Sequence, residues 1–155
     1  MTFTALPQFN SAVVDRLRND VAFMDMVAGV YDEVPANAKY PHVIIDEPFE
    51  TPDRTMGQNG HQCSVMLSIF TQSPSTTASG RGKAGFTVGL QIAERALSLL
   101  TDIEDDPLTV EGHDVVDVDV ISIDCTREDD GKTRLVDVVI IATLEDAADA
   151  EVIAP

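Results

Sequence analysis

The chain has 155 residues, 44% of them hydrophobic and 24% charged, with 27 acidic against 10 basic side chains and a formal net charge of −17. That length and apolar content suffice for one domain with a buried core and exclude whole-chain disorder. The shortage of lysine and arginine excludes a general phosphate-contact surface for nucleic acid; the acidity fits a chain that repels DNA, one that mimics it, or one from a saline habitat.

The charge is uneven. From Thr101 to Pro155, 17 acids face only Arg127, Lys132 and Arg134, whereas between Arg54 and Arg95 the sole acid is Glu94, set against Arg54, Arg81, Lys83 and Arg95. An acidic section and a faintly basic one suit head-to-tail self-association, because complementary patches steer docking; acids covering a solvated face is the plainer reading. Cys63 and Cys125 lie in apolar runs outside any CxxC, as buried free thiols in a reducing compartment would. The start, MTFTALPQF, lacks the basic and apolar regions of a signal peptide, and no apolar run reaches the 18 or so residues of a membrane span.

In chain order, Asn10 and Ser11 are expected to cap a helix of about five turns, with Val13, Val14, Leu17, Val21, Met24 and Val27 on one stripe, ending at Gly29. VYDEV reads as a short strand stopped by Pro35, and PHVIIDE, from Pro41 to Glu47, as a second. The breaker-rich stretch from Pro48 to Gly60 predicts a long exposed loop or loose hairpin arm. HQCSVMLSIFTQ alternates as a strand, with Cys63, Val65, Leu67 and Ile69 on one face and Met66 and Phe70 on the other. A Ser/Gly/Thr-rich loop leads into a second helix from about Ala84 to Leu100, apolar on so many sides that more than one should be covered. Beyond it, PLTVE predicts a short strand, Glu111-Gly112 a turn, and the following run a long strand through Ile123. Asp130-Gly131 marks a hairpin, and LVDVVIIATLE, apolar at both parities, a central strand covered on both faces. Residues 146–155 read as a weakly ordered tail, so the core of the single domain spans about 11–145. The pattern is α+β: a mostly antiparallel sheet carrying two helices, with an extended β-arm or long loops.

Chemistry is hard to place on this frame. His42, His61 and His113 have no metal-ligand spacing, and the acidic knot Asp102, Glu104, Asp105 and Asp106 lacks the EF-hand pattern. Gly80-Arg81-Gly82-Lys83 precedes a helix, as an anion loop would, but lacks the Walker spacing and is followed by Ala84. No serine sits in a nucleophile elbow. Neither enzyme, cofactor nor metal is expected.

The order of elements nonetheless resembles a known family. The N-terminal helix AVVDRLRNDVAFMDMVAG, the ribbon VYDEVPANAKYPHVII, the strand SVMLSIFTQ, the Gly/Ser-rich loop, the helix ending ALSLL, and PLTVEGHDVVDVDVISIDCTREDDGKTRLVDVVIIATLE are together similar to the tail-completion, or tail-terminator and head–tail joining, proteins of tailed bacteriophages and gene-transfer particles. The resemblance covers Ser11 to Glu145; His42 stands where an aromatic is frequent, and Phe70 where the family often has tryptophan. It implies a structural virion protein of the tail and neck, assembled in the host cytoplasm as a homo-oligomeric, hexameric ring. Such a ring ends tail-tube polymerisation and joins the head connector, so its partners are the tail tube protein, the neck proteins and itself, with DNA passing through without specific binding and no membrane involved. On that reading Arg54, Arg81, Lys83, Tyr31 and Tyr40 are candidate assembly contacts, with the loops 49–60 and 73–85. Asp117, Asp119, Glu128, Asp129 and Asp130 are candidates for an acidic lumen. The alternatives are a head-completion ring of the neck, an acidic DNA mimic that inhibits a nucleic-acid-binding protein, and a small anion-binding or hydrolytic enzyme using the 80–83 loop.

Overall fold

A computed structural model describes residues 3–53, 60–72 and 85–147. The chain opens with α1 (Leu6–Arg18), started by Pro7, whose missing N–H costs nothing in the first turn. Phe9, Val13 and Leu17 recur at helical spacing and are fully buried. The expected five-turn helix is in fact broken at Asn19–Asp20. The Asp20 side chain accepts the Phe23 N–H at 2.8 Å and caps a separate short helix, α2 (Val21–Met26). Val21, assigned to the apolar stripe, is left 76% exposed, while Phe23 is fully buried.

Asp20 also receives Arg95 of the next helix, Nη2 to Oδ1 at 2.8 Å and Nε to Oδ2 at 3.0 Å. That guanidinium, helped by the Phe23 N–H, holds the Asp20 carboxyl below the usual carboxylate range. Asp20→Ala is therefore expected to lower stability by about 1–2 kcal/mol, chiefly as a lost helix cap. Urea unfolding of the two proteins, with an unchanged m-value, checks it.

The strands are β1 (Gly29–Tyr31), β2 (His42–Pro52), β3 (Gly60–Gln72), β4 (His113–Arg127) and β5 (Thr133–Asp146), and α3 (Thr87–Leu100) crosses between β3 and β4. They form one sheet in the order β1-β2-β3-β5-β4. All neighbours are antiparallel except β1 and β2, which run parallel, so residues 32–41 form a crossover and not a tight hairpin. Strand β2 continues to Pro52, through a bulge between Asp46 and Phe49 where Glu47 takes φ 47°. Of the stretch read as a long loop or hairpin arm, 48–52 are strand in β2 and Gly60 opens β3, while 54–59 lie outside the described residues. After α3 there are two strands where three were expected, because 107–112 contributes only the bridge Val110–His113.

All three helices lie on one face of the sheet. Cys63, Val65, Leu67 and Ile69 of β3 and Val136, Val138, Ile140, Ala142 and Leu144 of β5 supply the core beneath them. Helix α3 buries the single stripe Gly89, Ile92, Ala93, Ala96 and Leu100 and leaves Leu90 41% exposed, so it is not covered all round. Gly89 is where it touches the sheet: a Cβ there would stand 2.8 Å from Cγ2 of Val136. At the β4–β5 hairpin Gly131 adopts φ 72°, the left-handed turn that Asp-Gly signalled. Strand β5 is central as predicted, but Leu135, Val139 and Ile141 on its second face are only half-buried, since no helix lies over them. Asp146, assigned to the tail, is the last residue of β5, and the Ala147 N–H bonds Gly112 O.

Candidate functional site

Strand register fixes what the helix-free face presents. Alternation places Met66 and Phe70 of β3 and Leu135, Val139 and Ile141 of β5 there, opposite the buried set. The partners of that set across β4 include Asp117 (opposite Thr143), Asp119 (opposite Ile141) and Asp124 (opposite Asp137). Asp46 (opposite Met66), Asp114 and Glu145 (opposite each other) complete an acidic border round an apolar centre. Arg127 and Arg134, the basic residues of the described strands, pair with each other on the helix side. Asp117, by hydrogen bonding and by like charge, pushes the Asp119 carboxyl above the usual range.

Glu128, Asp129 and Asp130 sit in the β4–β5 turn, about 30 Å along the strand from Asp119. The predicted acidic set is thus one patch and one tip, with Asp124 and Asp137 between them. The tip is internally organised: Asp130 accepts from Thr133 Oγ1 at 2.6 Å and from the N–H groups of Thr133 and Lys132 at 2.8 Å. Those bonds, that of the Thr133 hydroxyl foremost, hold its pKa at about 2.

Of the predicted contact residues, Tyr31 and Tyr40 come together around His42. The Tyr40 and His42 ring centroids are 4.8 Å apart, His42 stacks on Phe70 at 5.2 Å, and Tyr31 stands at 6.2 Å from His42. His42 is thus packed among three aromatic rings, 5% exposed, with Nδ1 bonded to Lys39 O. Arg54, Arg81 and Lys83, with the loop segments 54–59 and 73–84 and the anion-loop candidate Gly80–Lys83, lie outside the described residues.

Strand β4 is the outer edge of the sheet and spans 15 residues. Its distal half runs beyond the helices, so Val120, Ile121 and Ile123 are 42%, 59% and 47% exposed, and Cys125, expected to be buried, is exposed too. A long edge strand with exposed apolar side chains and, among the described residues, one rank of backbone donors and acceptors without a strand partner is a template for pairing.

Sequence reasoning missed a second site altogether, on the helix side at one end of the sheet. His61 opens β3, His113 opens β4 and Asp146 closes β5; sheet pairing brings together histidines 52 positions apart, which spacing could not reveal. Asp146 Oδ1 lies 3.0 Å from His61 Nε2 and 3.2 Å from His113 Nε2. On the far side of the rings, His61 Nδ1 meets Glu50 Oε2 at 3.0 Å and His113 Nδ1 meets Glu111 O at 2.9 Å. Glu50 Oε1 in turn accepts Thr4 Oγ1 and the Ala5 N–H, both at 2.8 Å, at the start of α1. Burial works against the Glu50 carboxylate, but the bonds from His61, Thr4, Ala5 and Cys63 prevail and hold its pKa low. Burial, and next the Glu50 charge, push the Cys63 thiol far up, so it stays a protonated donor to Glu50 and is no nucleophile or ligand.

Among the described residues the surface thus offers an acidic sheet face, an aromatic corner and a long sheet edge, and the His61–His113–Asp146 network joins strand ends. The chain matches the family described as tail completion protein gp17 over residues 11–145, and it belongs to that family. It is a structural protein of the phage-type virion tail. Among solved structures it is similar to a chain of the virion of a native gene transfer agent particle, at 20% identity and a TM-score of 0.71, covering 93% of this chain and 99% of that one. It is also similar to the gp17 protein of bacteriophage SPP1, at 20% identity and a TM-score of 0.54, covering 93% and 92%. No curated protein matches the chain.

Proposed function

We propose that the chain acts without catalysis, as the subunit of a hexameric ring at the head-proximal end of a tail. The ring ends growth of the tail tube and offers the surface on which the head connector docks. The observation that carries this reading is the β4 edge: 15 residues long, with Val116, Val120, Ile121 and Ile123 exposed and no further strand beside it among the described residues, it supplies the contact by which one copy meets the next. In that ring the acidic face and the Glu128–Asp130 tip belong toward the DNA path, where carboxylates in excess over their few basic neighbours, Arg127 and Lys132 at the tip, repel the passing phosphates. Tyr31 and Tyr40, at the opposite corner of the sheet, and Arg54, Arg81 and Lys83 serve contacts with neighbouring subunits and rings.

Electron microscopy of particles made without this protein tests the reading. The expected picture is overlong, irregular tail tubes beside DNA-filled, tailless heads. Tails of normal length beside heads that leak DNA would move the protein to the head side of the neck. Complete, infectious particles would refute an assembly role and turn attention to DNA mimicry.

A further inference from the structure

We propose that His61, His113 and Asp146 form a binding site for a divalent transition-metal ion of the zinc class, which clasps the ends of β3, β4 and β5. The argument starts from the far sides of the two rings. Each Nδ1 faces an oxygen that can only accept, Glu50 Oε2 for His61 and Glu111 O for His113, so each Nδ1 carries the proton. In a neutral imidazole the lone pair is then on Nε2, and both Nε2 atoms converge on one carboxylate oxygen, Asp146 Oδ1. With both rings neutral, lone pair faces lone pair; a proton on each Nε2 or a single metal ion between the three atoms removes that repulsion, and the convergence of all three on one point suits the metal.

The outer contacts are those that ligating histidines ordinarily have, a carboxylate or a backbone carbonyl on the second nitrogen, which fixes tautomer and ring orientation. The ligand atoms lie within 4.8 Å of one another, against a separation of about 3.4 Å around a tetrahedral zinc ion, so they must draw in by about 1.4 Å at most to seat the metal. The charge also balances, because a dication offsets Glu50 and Asp146. The His61 and His113 side chains are 5% and 1% exposed and Asp146 13%, so the carboxylate side is the route of entry and leaves a coordination position for water. Two imidazoles and one carboxylate suit zinc, cobalt or nickel and not calcium or magnesium.

The test is titration of the metal-stripped whole chain with cobalt(II) chloride. One equivalent is expected to bind with the intense visible absorption of a four-coordinate site, and zinc(II) should displace it. Zinc at a thousandfold excess over its Kd should raise Tm by roughly 8 °C or more, and magnesium should not. His113→Gln and Asp146→Asn should abolish both signals, while Cys125→Ala, which removes the exposed thiol, should leave them intact. Absence of cobalt absorption and of a zinc-dependent Tm shift in the unaltered chain would overturn the proposal without reference to any variant. So would the same signals persisting in a folded His113→Gln protein, or vanishing with Cys125→Ala.

Discussion

Glu50→Ala is expected to lower stability by about 3 kcal/mol, seen as a fall of about 10 °C in Tm, a large effect for one residue in a strand arm. The residue belongs to β2, yet its carboxylate reaches the start of α1. That helix has no acidic residue in its first turn and no side-chain cap on Ala5, its N-cap residue. Glu50 supplies both missing elements from across the fold, accepting the Ala5 N–H and standing as the negative charge at the positive end of the helix. Alanine would leave the Ala5 N–H, the Thr4 hydroxyl and His61 Nδ1 without their acceptor in a poorly solvated place, and unsatisfied donors cost more than the bonds themselves contribute. Glutamine should recover part of the loss, since its amide oxygen can still accept. The pH dependence has a definite sign. The folded Glu50 pKa lies below the ordinary 4.5, so its stabilisation is complete above that value and disappears as pH falls through the lower, folded one. Acid unfolding of the alanine variant should therefore show a shallower loss of stability below pH 4.5 than the parent. Equal slopes would mean that Glu50 is not ionised in this network.

The contrast between what was readable in advance and what was not follows from the range of the interactions. Strands β3 and β5 were legible because alternation is a local signal and their buried faces, Cys63 to Ile69 and Val136 to Leu144, are long. The hairpin was legible because Asp130-Gly131 carries its own turn geometry. The helix break was not read: Asn19-Asp20 interrupts an apolar period that continues through Val21 and Met24, and the local cap from Asp20 to the Phe23 N–H, reinforced by Arg95 from 75 positions away, outweighs that period. Pro48–Pro52 looked like a loop because its prolines suggest one, whereas a bulge at Glu47 absorbs the irregularity and the strand goes on. The His61–His113–Asp146 network was invisible for a different reason. Its members are mutually distant in sequence, each at a strand end where no periodicity operates, and they meet through the register of three strands. Tyr31 and Tyr40 could be named from the ribbon, but their common neighbour His42, and its stacking on Phe70, needed the parallel pairing of β1 with β2 and the antiparallel register of β2 with β3.

Val120→Lys combined with Ile123→Lys is expected to leave a folded, monomeric protein that cannot replace the parent in tail assembly. Both side chains register on the helix side of β4, opposite Ile140 and Val138, but beyond the helices, where they are 42% and 47% exposed. Their loss removes no core contact of consequence, so stability should change by no more than about 0.5 kcal/mol each. An edge strand bearing lysines, by contrast, resists pairing, because docking would bury the ammonium groups without partners. Lysine is a better choice than glutamate here. The chain already carries a net charge of −17, and two more acids would weaken self-association by general repulsion, whereas lysines lower that repulsion and leave the edge itself as the cause of any defect. Light scattering with size-exclusion chromatography reads the oligomer, and complementation of particles lacking the protein reads assembly. A variant that still forms rings and restores tails of normal length would show that β4 is a solvent edge. The contact would then have to be sought at the Tyr31–Tyr40 corner, where the parallel strand β1 ends the other side of the sheet after only three residues.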